Sequence, residues 1–253
     1  MILQRLATSI RKQDWFTVVI ETLIVVFGVF LGLQVQQWAL DRDRRDSESA
    51  YLVRLHEETV QLVAMRARYD QSRTTFSADL VAAVRVLQDT SDSLDLSSAQ
   101  CDAIAGSSHT TVPPADLPTI TELLSTGRLG QVSSQALRTG ILNLTQDAAS
   151  ARDLIQLISE ENQNLGRTFP DLMRHNLGAP AFVEDDYWLS PDCDTDGMRA
   201  NPAFLNALID NTYMYNVYTG RGVLPVSQRV KELHDVRDET LGIDHASEAE
   251  EQP

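Results

Sequence analysis

The chain of 253 residues is short of basic side chains, of cysteine and, over one long stretch, of helix breakers. Lys and Arg together number 21 against 36 acidic residues, for a net charge of −15. Nucleic acid is thereby excluded as an expected partner, because phosphate binding needs a basic surface. The basic residues are almost all Arg, with Lys only at 12 and 231, a skew that reads as coding bias. Two cysteines, Cys101 and Cys193, are too few and too far apart for a zinc cluster. No HExxH, GxSxG or GxxxxGK[ST] occurs, and none of His56, His109, His175, His234 and His245 is paired at metal-ligand spacing. No metal, cofactor or enzymatic activity is therefore expected. From Leu33 to Ala105 there is no Gly and no Pro, which removes both common helix breakers.

What the chain does have is a long apolar run near its start. From Trp15 to Trp38 a helix would be about 36 Å long at ~1.5 Å per residue, enough to cross a hydrocarbon core of roughly 30 Å. Trp15 and Trp38 fit the aromatic belts at the two interfaces. The run outlasts a signal peptide's apolar region of ~7 to 15 residues, and it ends in "QVQQWALDRD" without a small-x-small cleavage site. The expectation is an uncleaved anchor in contact with the lipid bilayer. Arg5, Arg11 and Lys12 before it nearly balance Arg42, Arg44 and Arg45 after it, so the positive-inside comparison is close to a tie. The free amino group tips it towards residues 1–14 in the cytoplasm and residues 39–242 outside, in the periplasm beyond an inner membrane.

One polar residue sits in the run. Glu21 shares a helical face with Val25, Gly28, Gly32 and Val35, and the two glycines form a GxxxG pair, the spacing that lets two backbones approach in lipid. A carboxylate at that depth requires protonation, water or a partner. The face is expected to meet another helix, from a second copy or from another membrane protein; Glu21 snorkelling to the headgroups is the plainer alternative.

"QDWFTVVIETLIVVFGVFLGLQVQQW" resembles the opening signature of an uncharacterised family of bacterial single-span membrane proteins, a domain of unknown function. The resemblance is detailed over residues 1–40, and "ELLSTGRLGQVSSQALRTGI" is similar to a later family segment. Members more often carry Asn before the second Trp, where this chain has Gln37. The resemblance implies a helical extracytoplasmic domain in Gram-negative bacteria and implies no activity.

The remainder reads as all-α. The spanning helix continues through Leu52, Leu55, Leu62, Tyr69, Phe76, Leu80 and Leu87 to about residue 88, with Arg66 and Arg73 interrupting the seam. Ser97 or Ser98 starts a short helix carrying Cys101, and "GSSHTTVPPADLPT" is a loop. A short helix, a turn at Gly127 to Gly130 and a helix capped by Ser133 or Ser134 follow. That helix carries Leu137, Ile141, Leu144, Ala148, Ala151, Ile155, Ile158 and Leu165, with a polar gap at Asn162. Its stripe suits one wall of an intramolecular bundle, or else a coiled coil between subunits. Residues 166–200, with Pro170, Pro180 and Pro191, are expected to be irregular. Asn201 and Pro202 open a helix that Gly220, Gly222 and Pro225 should end or kink, and a last helix runs from about Val226 to Leu241. Residues 243–253 form an acidic tail, expected to be disordered.

In an oxidising compartment Cys101 and Cys193 read as one disulfide, closing a loop that the chain-entropy model values at roughly 4 to 5 kcal/mol; two buried free thiols are the alternative. "DCDTDG", Asp192 to Gly197, opens like a calcium loop, but Ala203 stands where the bidentate Glu belongs, and an acidic loop ahead of a helix fits better. Tyr213, Tyr215 and Tyr218 with Trp188 fit a core better than a ligand groove. Two functional classes follow. The first is a non-catalytic envelope protein acting through homo-oligomerisation or another membrane protein. The second is a ligand-sensing domain that signals laterally through the Glu21 face.

Overall fold

The computed structural model describes residues 15–89, 94–178 and 188–241. The expected cytoplasmic segment 1–14 and tail 243–253 lie outside them. The chain divides into two compact units, Met1–Tyr51 and Leu52–Pro253. The architecture is all-α apart from one hairpin. Helix α1 spans Trp15–Gln88, unbroken past Gly32 as the absence of Gly and Pro from Leu33 onward predicts.

In the first unit the described side chains from Val19 to Asp46 are all exposed. The most apolar stretch of α1 has a mean hydropathy of 1.9, none of it buried, and it is long and apolar enough to cross a membrane.

The second unit, called the body below, surrounds one core. Along the rest of α1, Leu52, Leu55, Leu62, Leu80 and Leu87 of the expected seam are buried, while Tyr69 and Phe76 are half-buried. After α1 come α2 (Ser98–Gly106), α3 (Pro118–Ser125), a 3-10 turn (Arg128–Gln131) and α4 (Gln135–Glu161). Local chemistry sets these boundaries. Ser97 begins α2 with a capping box, its hydroxyl accepting from the Gln100 amide while the Gln100 side chain accepts from the Ser97 amide. Gly127, with φ 68°, takes the left-handed conformation that turns the chain out of α3. Ser134 caps α4 by accepting from the Leu137 amide at 3.2 Å.

The α4 stripe is consumed inside the chain. Leu137, Ile141, Leu144, Ile155 and Ile158 are at most 2% exposed. They are covered by the chain's own later helices, so the bundle-wall reading holds and no second copy is needed to bury them. The helix stops at Glu161, however, four residues short of the expected Leu165. Asn162 takes extended backbone, and Asn211 clamps the next residue, accepting from the Gln163 amide at 3.0 Å and donating to its carbonyl at 2.7 Å. Leu165 is still buried, but within a separate turn, α5 (Leu165–Thr168), capped by Asn164.

The described parts of residues 166–200 carry more regular structure than expected, and Pro180 lies outside the described residues. An antiparallel hairpin pairs β1 (Met173–Gly178) with β2 (Trp188–Cys193), Met173 opposite Cys193. Helix α6 (Thr195–Ala200) follows, capped by Asp194. The sequence offered no period-2 apolar pattern here, because of the described side chains on β1 only Met173 is buried.

Helix α7 (Pro202–Val217) starts at the expected Asn201 cap with Pro202 in its first turn. Gly220, Gly222 and Pro225 then fail to end the helix. A π-helical segment, Tyr218–Val223, carries the chain into α8 (Leu224–Leu241), with the Leu224 amide donating to the Thr219 carbonyl five residues back. Proline inside an α-helix lacks a donor and collides with the carbonyl four residues earlier; a widened turn relieves that conflict. Gly222 lets this segment approach α4 closely, since a Cβ there would sit 3.0 Å from Ile155 Cγ1.

Candidate functional site

The face read from the sequence as an association surface is open. Val25 and Val35 are each 65% exposed, and a Cβ built on Gly28 or Gly32 would meet nothing within 4 Å. Glu21 is exposed with them. The structure therefore brings nothing of the described chain onto this face. Trp38 is 64% exposed with the Arg42 guanidinium 5.8 Å from its ring, a cation–π contact on the surface of the helix. The side chain of Trp15 lies outside the described residues.

Cys101 and Cys193 are bonded, with Cα atoms 6.0 Å apart, within the normal disulfide range. The bridge joins α2 to the end of β2. The acidic loop is occupied by the protein itself. Asp192 accepts from Asn176 Nδ2 at 2.8 Å, Asp194 accepts from the Gly197 amide at 3.0 Å, and Asp196 pairs with Arg199 at 2.9 Å. Those carboxylates are committed to strand and helix, and among the described residues no group of three or more His, Cys, Asp or Glu is placed to hold a metal ion.

The aromatics divide. Tyr215 and Tyr218 are 3% and 0% exposed and meet edge to face at 5.2 Å in the core, whereas Tyr213 is 62% exposed. Burial raises the Tyr215 phenol above its ordinary range, with Tyr218 adding to the shift and Arg73 opposing it. The Trp188 side chain is outside the described residues.

What the sequence reading missed lies at the two arginines that seemed to break the α1 seam. Arg66 is 2% exposed and donates in three directions: from Nε to Ser227 Oγ at 2.7 Å, from Nη1 to the Pro114 carbonyl at 2.7 Å, and from Nη2 to the Val223 carbonyl at 2.8 Å. Ser227 Oγ in turn donates to Asp70 Oδ1 at 2.7 Å. One guanidinium thus ties α1 to α8, to the π segment and to the loop before α3. Burial lowers its pKa, and Asp70 and Tyr218 counter that shift. Arg73 donates to Thr111 Oγ1 at 2.6 Å and to the Tyr218 hydroxyl at 3.3 Å, while that hydroxyl donates to the Thr111 carbonyl at 2.8 Å. The only hint in the sequence was an arginine on a seam position with no breaker near it.

Beside the π segment an open groove of about 470 Å³ is bordered by Thr74, Ala78, Val81, Asn216, Thr219 and Gly220. Several of its polar groups are already engaged: Ser77 donates to Asn216 Oδ1 at 3.0 Å, and Thr219 donates to the Tyr215 carbonyl at 2.8 Å.

At the far end of α8, His234 Nδ1 lies 2.9 Å from Asp238 Oδ2, and His56 Nδ1 of α1 lies 3.8 Å from Asp238 Oδ1. The two rings are 6.3 Å apart. Nothing in the sequence could pair histidines that far apart along the chain.

No family model, curated protein or solved structure matches this chain.

Proposed function

We propose that this chain is a single-span membrane protein of the bacterial inner membrane, with residues 1–14 in the cytoplasm and the body in the periplasm. It works without catalysis, by helix association with a second copy or with another envelope protein, and it belongs to the uncharacterised single-span family its opening resembles. The observation that carries the reading is the apolar stretch of α1, mean hydropathy 1.9, of which nothing is buried. Apolar surface on that scale in water costs roughly 25 cal/mol per Å², so it needs lipid or protein around it.

Within that stretch the uncovered Gly28 and Gly32 offer close backbone approach, and packing of this kind is what joins helices in lipid, where no hydrophobic force acts between them. Glu21 on the same side gives the contact a hydrogen-bonding group that lipid cannot satisfy. Changing Gly28→Ile together with Gly32→Ile is expected to abolish the signal in a membrane two-hybrid assay of the full chain against itself and against envelope proteins. An undiminished signal for every pair tested would remove the association face from the proposal. Orientation is checked separately by reporter fusions at the C-terminus.

A ligand-sensing role is a second reading, favoured by the groove beside the π segment, because π-helical turns recur at functional sites. Thermal shift of the full chain against small-molecule libraries, with Gly220→Leu to fill the groove, separates it from the first.

A further inference from the structure

The core stripe of α8 runs through Val226, Val230, Leu233 and Arg237, at 3%, 0%, 1% and 0% exposure. Its last member is a guanidinium where the pattern calls for an aliphatic side chain. Only Nη2 of Arg237 has an acceptor, the neighbouring Asp238 carboxylate, while Nε and Nη1 are buried with no hydrogen-bond partner. Enclosure also lowers its pKa to about 10, which leaves it charged at neutral pH. A buried cation with unmade N–H groups destabilises the conformation that buries it, because water would satisfy those groups at once. Asp238, 7% exposed, serves Arg237 and His234 of its own helix and faces His56 of α1. Asp235, largely exposed, lies 3.7 Å from His234.

The geometry points to the end of α8, from His234 to Leu241, as a releasable latch: it lifts from α1 and from the start of α4 as a unit while the rest of the body stays folded. Lifting gives Arg237 its missing partners from water and uncovers the His56 side of α1. Among what it gives up are the contact of the arginine stem, the half-burial of Val236 beside Gln135, Ala136 and Gly140 of α4, and the shared Asp238 carboxylate. The rest of α8 stays, since Val226, Val230 and Leu233 lose burial without any such return. Such low-stability segments open locally, well below the free energy of global unfolding.

Hydrogen exchange followed by mass spectrometry on the full chain in detergent micelles tests this, with the amides of 205–217 as internal reference. Arg237→Met keeps the stem and removes the charge. It is expected to slow exchange over 234–241 by about tenfold or more and to leave 205–217 unchanged. An end that is merely frayed would not respond, so unchanged or faster exchange over 234–241 overturns the latch, as does a variant that fails to fold. Asp238→Asn removes the anion that holds Arg237 in place. It is expected to speed exchange over 234–241 by about tenfold with 205–217 unaffected, and an unchanged profile overturns the proposal.

Discussion

The two units handle apolar and polar groups in opposite ways. In the first, apolar side chains such as Leu23, Ile24, Val26 and Phe27 are 59–66% exposed, and nothing in the described chain covers them. In the second, Leu80, Leu137, Ile141 and Phe204 are fully enclosed, and so are polar groups, with Arg66 and Asn211 at 2% and 1%. The difference lies in where each unit finds its solvent. The body builds its own apolar interior and binds most of the polar groups it encloses, Arg237 being an exception, while the apolar stretch of α1 holds its hydrogen bonds within one helix and leaves its side chains uncovered.

The sharpest way to break that contrast is to charge the anchor. Val26→Arg with Phe27→Arg is expected to cost about 5 to 7 kcal/mol of membrane insertion, at roughly 2.5 to 3.5 per arginine. Carbonate-resistant membrane association should be lost while the melting of the body is unchanged. Retention at the wild-type level would show that the apolar stretch is not what holds the protein to the membrane.

Removing a polar tie in the body tests the other half. Arg66→Ala leaves Ser227 and the Pro114 and Val223 carbonyls without their donor and is expected to destabilise the body by about 3 to 5 kcal/mol in chemical denaturation. Membrane association should not change. A loss below about 1 kcal/mol would reduce the network to surface-like hydrogen bonds.

A smaller effect concerns Asp102 on α2, whose carboxyl is raised above its ordinary value by burial. For a carboxyl with a raised folded pKa, the folded state holds the proton more tightly, so this group lowers stability above its folded pKa and the penalty fades as pH falls towards the unfolded value near 4. Asp102→Asn is expected to stabilise the body slightly at pH 7, by about 0.5 kcal/mol or less, with the gain shrinking in acid. A gain that grows in acid has the wrong sign.

Much of the scaffold was legible beforehand because its determinants are local. The missing breakers from Leu33 to Ala105, the Ser97 and Ser134 caps and the Asn201–Pro202 start each act within a turn of chain. The Cys101–Cys193 bridge was legible for another reason, as the one pairing two cysteines allow. The hairpin of β1 and β2 was not, since its strands carry little apolar alternation and include Pro191. The reading that Gly220, Gly222 and Pro225 end or kink the helix left the outcome open, because what two glycines and a proline do to a helix depends on what packs there, and here Ile155 closes against Gly222 beside a π segment.

The sequence by itself determined that α1 runs unbroken, that its first part is apolar enough to cross a membrane and that the body is helical, because periodicity, breakers and caps act through neighbours three or four residues away. Only the tertiary structure decided what the seam arginines do. Arg66 is an interruption until Ser227, Pro114 and Val223 arrive from distant parts of the chain, and His56 and Arg237 come to the same carboxylate only when α1 and α8 pack. Partnership of buried charges is a long-range property, fixed by which segments meet in the folded body.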